Sequence, residues 1–169
     1  MQESLFQARQ VQPGDAWRVV ADGGMDVLAT LHEERDFWLE GVLTLDARLG
    51  GLAFRLDDQG GGYLVELIGG ASEVTLKKWL PSAQDDGRPW FRYDELQRSR
   101  LPRPVAPGEP IPFRLIVVGP YVECSLFDEV VLATLSAERT SGRVGIWAES
   151  GAASVTGIEW ARMRAPRSA

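Results

Sequence analysis

Glu66 and Glu123 each lie in the middle of a short segment that alternates apolar and polar residues, Tyr63 to Ile68 and Tyr121 to Leu126. Two carboxyl groups on either side of a glycosidic bond are the usual means of cleaving it, one giving a proton and the other acting as base or nucleophile. Arg55, on a neighbouring segment, is the third candidate for that chemistry, as a substrate contact or as an ion-pair partner. The simpler reading of a lone outward glutamate on a strand is a solvated or salt-bridged surface group. No E-x-D-x-x-E pairing of carboxylates on one strand accompanies either glutamate.

Other reaction types are narrowed by what the chain contains. His32 is the only histidine and no nucleophile elbow surrounds any serine, so a Ser-His-Asp or Cys-His arrangement has nothing to build on. Zinc needs three or four imidazole or thiolate ligands, and His32 and Cys124 are the only ones present. Asp57 and Asp58, close to Gly60, are candidates for a structural calcium ion, against the plainer reading of a polar turn. Gly60-Gly61-Gly62 leads into a strand instead of a helix N-terminus, so it is not a phosphate-cradling loop. No cofactor is expected. Cys124 cannot form an intrachain disulfide, and its place in the alternation with Val122 and Leu126 makes it a small buried hydrophobe.

Aromatic residues offer a binding chemistry. Flat aromatic faces stack on sugar rings while charged side chains bond the hydroxyls. Trp79, Trp90, Tyr93 and Trp147 are the candidates for such a platform, with Lys78, Arg92 and Glu149 as charged neighbours. Trp17, Trp38 and Trp160 are assigned to the core, where most tryptophans of a sandwich belong.

These residues sit in a chain of 169 residues with 44% hydrophobic and 25% charged residues, enough for one full core. A net charge of −6, with basic residues scattered apart from Arg98, Arg100 and Arg103, disfavours a nucleic-acid partner. No apolar run approaches the roughly 18 residues of a membrane span, so no membrane partner is expected. Met1 to Asp15 lack the apolar core of a secretory signal. A complete chain would then be cytoplasmic, and a piece of a longer one would follow another domain.

The elements that must position the candidates read as strands almost throughout. Alternation predicts strands over Trp17 to Asp22, Val27 to His32, Phe37 to Asp46, Leu52 to Leu56, Tyr63 to Ile68 and Val74 to Trp79, with turns at Gly23-Gly24 and Leu49-Gly50-Gly51. Arg55 is expected to face outward with Ala53, and Gly41 to mark a close approach of a neighbouring strand. Seven prolines and Asp85-Asp86-Gly87 make residues 81–112 an excursion without long regular structure, packed over the sandwich, in which 94–100 forms at most a turn or two of helix. Phe113 to Leu135 then gives two strands joined at Gly119-Pro120 and a third beginning at Val130, and a further strand starts at Ser141 to Trp147 with Gly145, Trp147 and Glu149 on one face. The expectation is an all-β, two-sheet antiparallel jelly-roll sandwich: one domain over 15–164, an extension or linker over 1–14 and a tail over 165–169.

The succession Tyr-Val-Glu-Cys-Ser-Leu-Phe (121–127), a short acidic connection and Ser-Gly-Arg-Val-Gly-Ile-Trp (141–147) resembles the end of a concanavalin A-like sandwich of the lectin and glucanase type. It is most similar to the C-terminal sandwich of glycoside hydrolase family 32, although Phe127-Asp128-Glu129 lacks the usual Asp-Gly turn. Gly51 to Gly70 is similar to the paired middle strands of such domains, including those of the 3-keto-disaccharide hydrolase type. The resemblance implies an accessory module associated with a neighbouring catalytic domain, and a carbohydrate partner of fructan type. The alternative is a stand-alone sugar-acting hydrolase or lyase using Glu66 and Glu123.

Overall fold

The computed structural model describes residues 6–9, 16–58, 61–68, 72–83 and 89–163. Ten strands follow one another, with no helix among the described residues: β1 (Phe6–Arg9), β2 (Trp17–Thr30), β3 (Phe37–Leu56), β4 (Gly62–Ile68), β5 (Glu73–Ala83), β6 (Pro89–Arg100), β7 (Ile111–Val118), β8 (Tyr121–Leu126), β9 (Glu129–Leu135) and β10 (Arg143–Arg162). The expected all-β sandwich is what the chain forms.

Three long strands serve both of its layers. β10 pairs with β3 along its whole length and with β2 from Gly145 to Val155, so that it lies between them. The second half of β3 pairs with β4, which continues to β5 and β6, while the first half pairs with β7, which continues to β8 and β9. The β4-β5-β6 and β7-β8-β9 extensions enclose one core.

A strand that serves two layers must turn a corner, and with a side-chain period of two it must also slip its phase there. On β10 the corner is a bulge between Glu149 and Gly151, with Ser150 at φ 51°. On β3 the inward set changes from Leu43 and Leu45 to Leu52 and Phe54. Gly50-Gly51 therefore does not reverse the chain, as the glycine pair suggests in the sequence; β3 runs unbroken for 20 residues. Gly23-Gly24 likewise bulges out of β2 without ending it. Gly41 does mark a close approach, since a Cβ there would stand 2.9 Å from Val155 Cγ1.

The residues 81–112 depart further from expectation. Pro81 lies within β5 and Pro89 opens β6, the last strand of its layer, where a proline forfeits few ladder bonds. The segment 94–100 is strand, not helix. Among the described residues of this stretch only 101–110 is irregular, and it closes one end of the sandwich with Leu101 and Val105 buried, Gly108 N–H bonded to Leu45 O at 2.7 Å and Arg103 over the Phe127 ring. Phe6–Arg9, expected in a linker, pairs in parallel with Val27 to Thr30.

The core holds Phe37, Leu39, Phe54, Tyr63, Leu115, Cys124 and Leu132 among many others. Each such side chain contributes about 1.5–3 kcal/mol by leaving water. Trp17 is buried there, as expected, while Trp160 packs partly buried against the core. Trp38 alternates with Phe37 and Leu39 and is only half-buried, on the outer side of β3.

Candidate functional site

The outer face of the β2-β10-β3-β4-β5-β6 layer collects most of the chemistry. Its register places Val27, Trp147, Gly51, Glu66, Thr75 and Arg98 in one row across six strands, and Ala29, Gly145, Ala53, Leu64, Lys77 and Glu95 in the next. Residues directly opposite on neighbouring strands share a face. A second apolar cluster forms on it: Val27, Ala29, Ala53, Leu56, Leu64, Trp79 and Trp147. Trp147 reaches over Gly51 and donates its indole N–H to Val65 O at 3.2 Å. Gly51 has to be glycine here, because a Cβ would meet that same carbonyl oxygen at 2.0 Å.

Beside this floor, Trp79 and Tyr93 are register partners with parallel rings 6.0 Å apart. Trp79 is fully buried, whereas Tyr93 is 44% exposed. Lys77 Nζ stands 5.2 Å from the centre of the Tyr93 ring and 3.0 Å from Glu66, which is only 8% exposed. Burial raises the Tyr93 phenol above its ordinary value, and the charges of Glu149 and Glu66 raise it further, against a hydrogen bond with Trp79. Glu66, Glu149 and Lys77 are therefore each within electrostatic reach of Tyr93, beside a tryptophan floor. Such an arrangement can take a polar, ring-shaped ligand: an aromatic edge with charged donors and acceptors around it.

The structure brings together Trp79, Tyr93, Trp147, Glu66 and Glu149 of the residues singled out from the sequence, and separates the rest. Lys78 is the register partner of Tyr63 and points with it to the inner side, where it pairs with Glu138. Arg92 alternates with Tyr93, pairs with Asp94 at 3.7 Å and lies on the other face of β6. The backbone of Trp90 pairs with that of Ser82 in the β5–β6 ladder, and its side chain lies outside the described residues.

Arg55 is not on the outer face. It takes a left-handed conformation, φ 50°, at a bulge between the Arg143 and Gly145 pairings of β10, which turns its side chain inward. There it is fully buried and donates to Arg139 O at 2.7 Å and Arg35 O at 3.2 Å, with Asp36 3.8 Å away. Burial lowers its pKa, and the charge of Asp36 opposes that shift. Its role is to tie two loops to the end of the sandwich.

Glu66 alternates with core residues on β4, and Glu123 with core residues on β8. The two layers enclose that core, so the carboxylates point away from each other on opposite sides of the molecule. They cannot flank one bond. Glu123 instead accepts the Tyr121 hydroxyl at 2.7 Å.

Asp57 accepts the Gly61 N–H at 2.9 Å and an Arg139 N–H at 2.7 Å, and Asp58 pairs with Arg143 at 2.9 Å. Both calcium candidates thus have arginine partners. Among the described residues no group of three or more His, Cys, Asp or Glu side chains is placed to hold a metal ion.

Lys77 was missed by sequence adjacency, which points to Lys78 as the neighbour of Trp79. The period of two holds the signal: Lys77 and Trp79 share a face of β5, and Lys78 does not. An open groove of about 430 Å³ on the opposite side of the sandwich is lined by Glu40, Arg114, Ser125, Asp128 and Glu159 over Pro112, and the aromatic ring at it, that of Phe113, is buried in the core.

No family model matches the sequence, and no curated protein matches it. Solved structures do. A carbohydrate binding module, CBM66, from Bacillus subtilis superposes with a TM-score of 0.67 at 16% identity, covering 92% of this chain and 98% of that one. A putative glycosyl hydrolase from Parabacteroides distasonis gives 0.62 at 11% identity over 87% of this chain and 81% of that one. A beta-fructofuranosidase from Aspergillus kawachii gives 0.52 at 11% identity over 88% of this chain but 28% of that one. What this chain shares with them is the fold, the concanavalin A-like β-sandwich that its strand pattern resembles.

Proposed function

We propose that the protein is a carbohydrate-binding β-sandwich module whose ligand rests on the outer face of the β2-β10-β3-β4-β5-β6 layer. The observation that carries the reading is the half-exposed Tyr93 packed against buried Trp79, with Lys77 and Glu66 beside it. A polar ion pair and a partly exposed ring over a fixed aromatic floor match the needs of a sugar, which offers hydroxyls at its rim and C–H groups on its face. The likeness to a structure named as a carbohydrate binding module, over nearly the full length of both chains, supports the same reading. The module is accessory in this view and serves a neighbouring catalytic domain of a sugar-acting enzyme. Fructans are the first ligands to test, given the resemblance to family 32 sandwiches and the superposition on a fructofuranosidase.

An exposed site with one ring at its edge supports binding in the millimolar to high-micromolar range, about −4 to −6 kcal/mol. Titration of oligosaccharides, fructans first, followed by tryptophan fluorescence tests the reading. A saturable change that is lost in Tyr93→Ala is expected. Equal response of the variant, or no saturable change with any glycan, removes the platform.

A further inference from the structure

Resting on the reading above, we propose that Lys77 and Glu66 act as one recognition unit that grips two adjacent hydroxyls of a neutral sugar and discriminates against acidic sugars. The pair differs from the other ion pairs on its face. Arg98 with Glu73 and Arg48 with Glu149 are solvent-exposed links between strands, and Arg98 with Glu95 is an exposed pair within β6. Lys77 and Glu66 are nearly withdrawn from water, with 22% and 10% of their side chains exposed, beside Tyr93. Desolvating two charges costs more than their attraction returns unless further polar partners complete them.

The bonding is incomplete in a particular way. Lys77 Nζ stands 3.0 Å from both Glu66 oxygens, so one side of the ammonium serves the whole carboxylate and its remaining N–H groups are left for other acceptors. A carboxylate oxygen that accepts one bond keeps a second lone pair, so a remaining Lys77 N–H and a Glu66 oxygen side by side can engage two adjacent hydroxyls at once, each at about 2.8 Å. The chemical class follows from the charges. Glu66 neutralises Lys77, and Glu149 places a second carboxylate within reach of Tyr93. A uronate would bring its own negative charge towards those two carboxylates, whose cations Lys77 and Arg48 are already matched, and among the described residues no unmatched cation stands next to Tyr93 to receive it. Arg100, on the same face, stands opposite Glu73 at the far end of β6.

Calorimetric titration of the whole chain tests this with two probes of equal length, a neutral fructan oligosaccharide and an oligogalacturonate, with neutral glucan and xylan oligosaccharides in place of the fructan if it does not bind. A neutral probe should bind at least tenfold tighter than the oligogalacturonate. Glu66→Gln and Lys77→Gln should each weaken the neutral probe about tenfold, and Lys77→Arg, which keeps charge and donors, should retain it. Equal or tighter binding of the oligogalacturonate overturns the proposal. So does unchanged neutral-sugar binding in both Gln variants when Tyr93→Ala abolishes it, and in that case the carbohydrate reading survives. Should no neutral or acidic glycan bind at all, both fall together. If Glu66→Gln fails to fold, the contrast between Lys77→Gln and Lys77→Arg decides alone.

Discussion

Trp147 and Gly51 are register partners on adjacent strands, and the indole nitrogen of Trp147 lies 3.7 Å from the point where a Cβ on Gly51 would stand. A Cβ there would only touch the ring; what excludes it is the β4 carbonyl of Val65, to which the ring donates its N–H. Gly51→Ala places a methyl 2.0 Å from Val65 O, which is main chain and cannot swing away. The expected loss is about 3 kcal/mol. Urea unfolding measures it, and a midpoint unchanged from the parent chain would contradict the packing.

Cys124 should behave as an inert core residue. Burial pushes its thiol up to about 12, with the charge of Glu123 adding to the shift. At neutral pH almost no thiolate exists, and the thiolate is the reactive species. A chromogenic disulfide reagent should label the native protein many-fold more slowly than the protein in denaturant; comparable rates would place the β8 phase in error.

Alkaline pH should weaken the fold. The Tyr93 phenol is raised by burial and then by Glu149 and Glu66, and that of Tyr121 by its hydrogen bond to Glu123. A group whose folded pKa lies above its unfolded value keeps its full contribution below the unfolded pKa and loses it as pH rises through the folded one. Both losses begin near pH 10, the ordinary tyrosine value. Unfolding curves taken at pH 8, 10 and 11 should show stability falling above 10, with a smaller fall in Tyr93→Phe. A variant that falls as steeply as the parent would exclude Tyr93 as a source.

The outer edge of β9 is guarded by another strand's side chain. Gln97 of β6 accepts the Ala133 N–H through Oε1 at 3.0 Å. An open strand edge is a template for pairing with a second chain. Gln97→Ala should cost about 1 kcal/mol and give concentration-dependent association by light scattering. A variant that stays monodisperse at high concentration would show that the edge needs no such guard.

How much of this was readable in the sequence depends on which residues are considered. Val122, Cys124 and Leu126 alternate without interruption, and the strand and its buried face follow directly. Gly145, Trp147 and Glu149 were placed on one face for the same reason. Bulges defeated the period elsewhere: Arg55 looks outward when counted from Ala53, and a single left-handed residue turns it inward. Gly50-Gly51 looked like a reversal because glycines serve both turns and close approaches, and only the tertiary partner, Trp147, distinguishes them. Prolines at 81 and 89 suggested irregular chain, yet the edge of a layer tolerates them. For the site, the types of residue were visible, but Glu66 and Glu123 could be assigned to opposite sides only once the order of strands was known.

The central position of β10 also sets the order in which the molecule can come into being. β10 is the last of the described strands, yet it lies between β2 and β3, with Trp147 facing Val27 on one side and Gly51 on the other. A nascent chain still lacking 143–162 would leave both strands facing a gap that no other described strand fills. Local hairpins such as β4–β5 and β7–β8 can form as they leave the ribosome, but contacts across so many residues close late. β2 and β3 therefore wait, unjoined, for a segment that slides between strands made long before it.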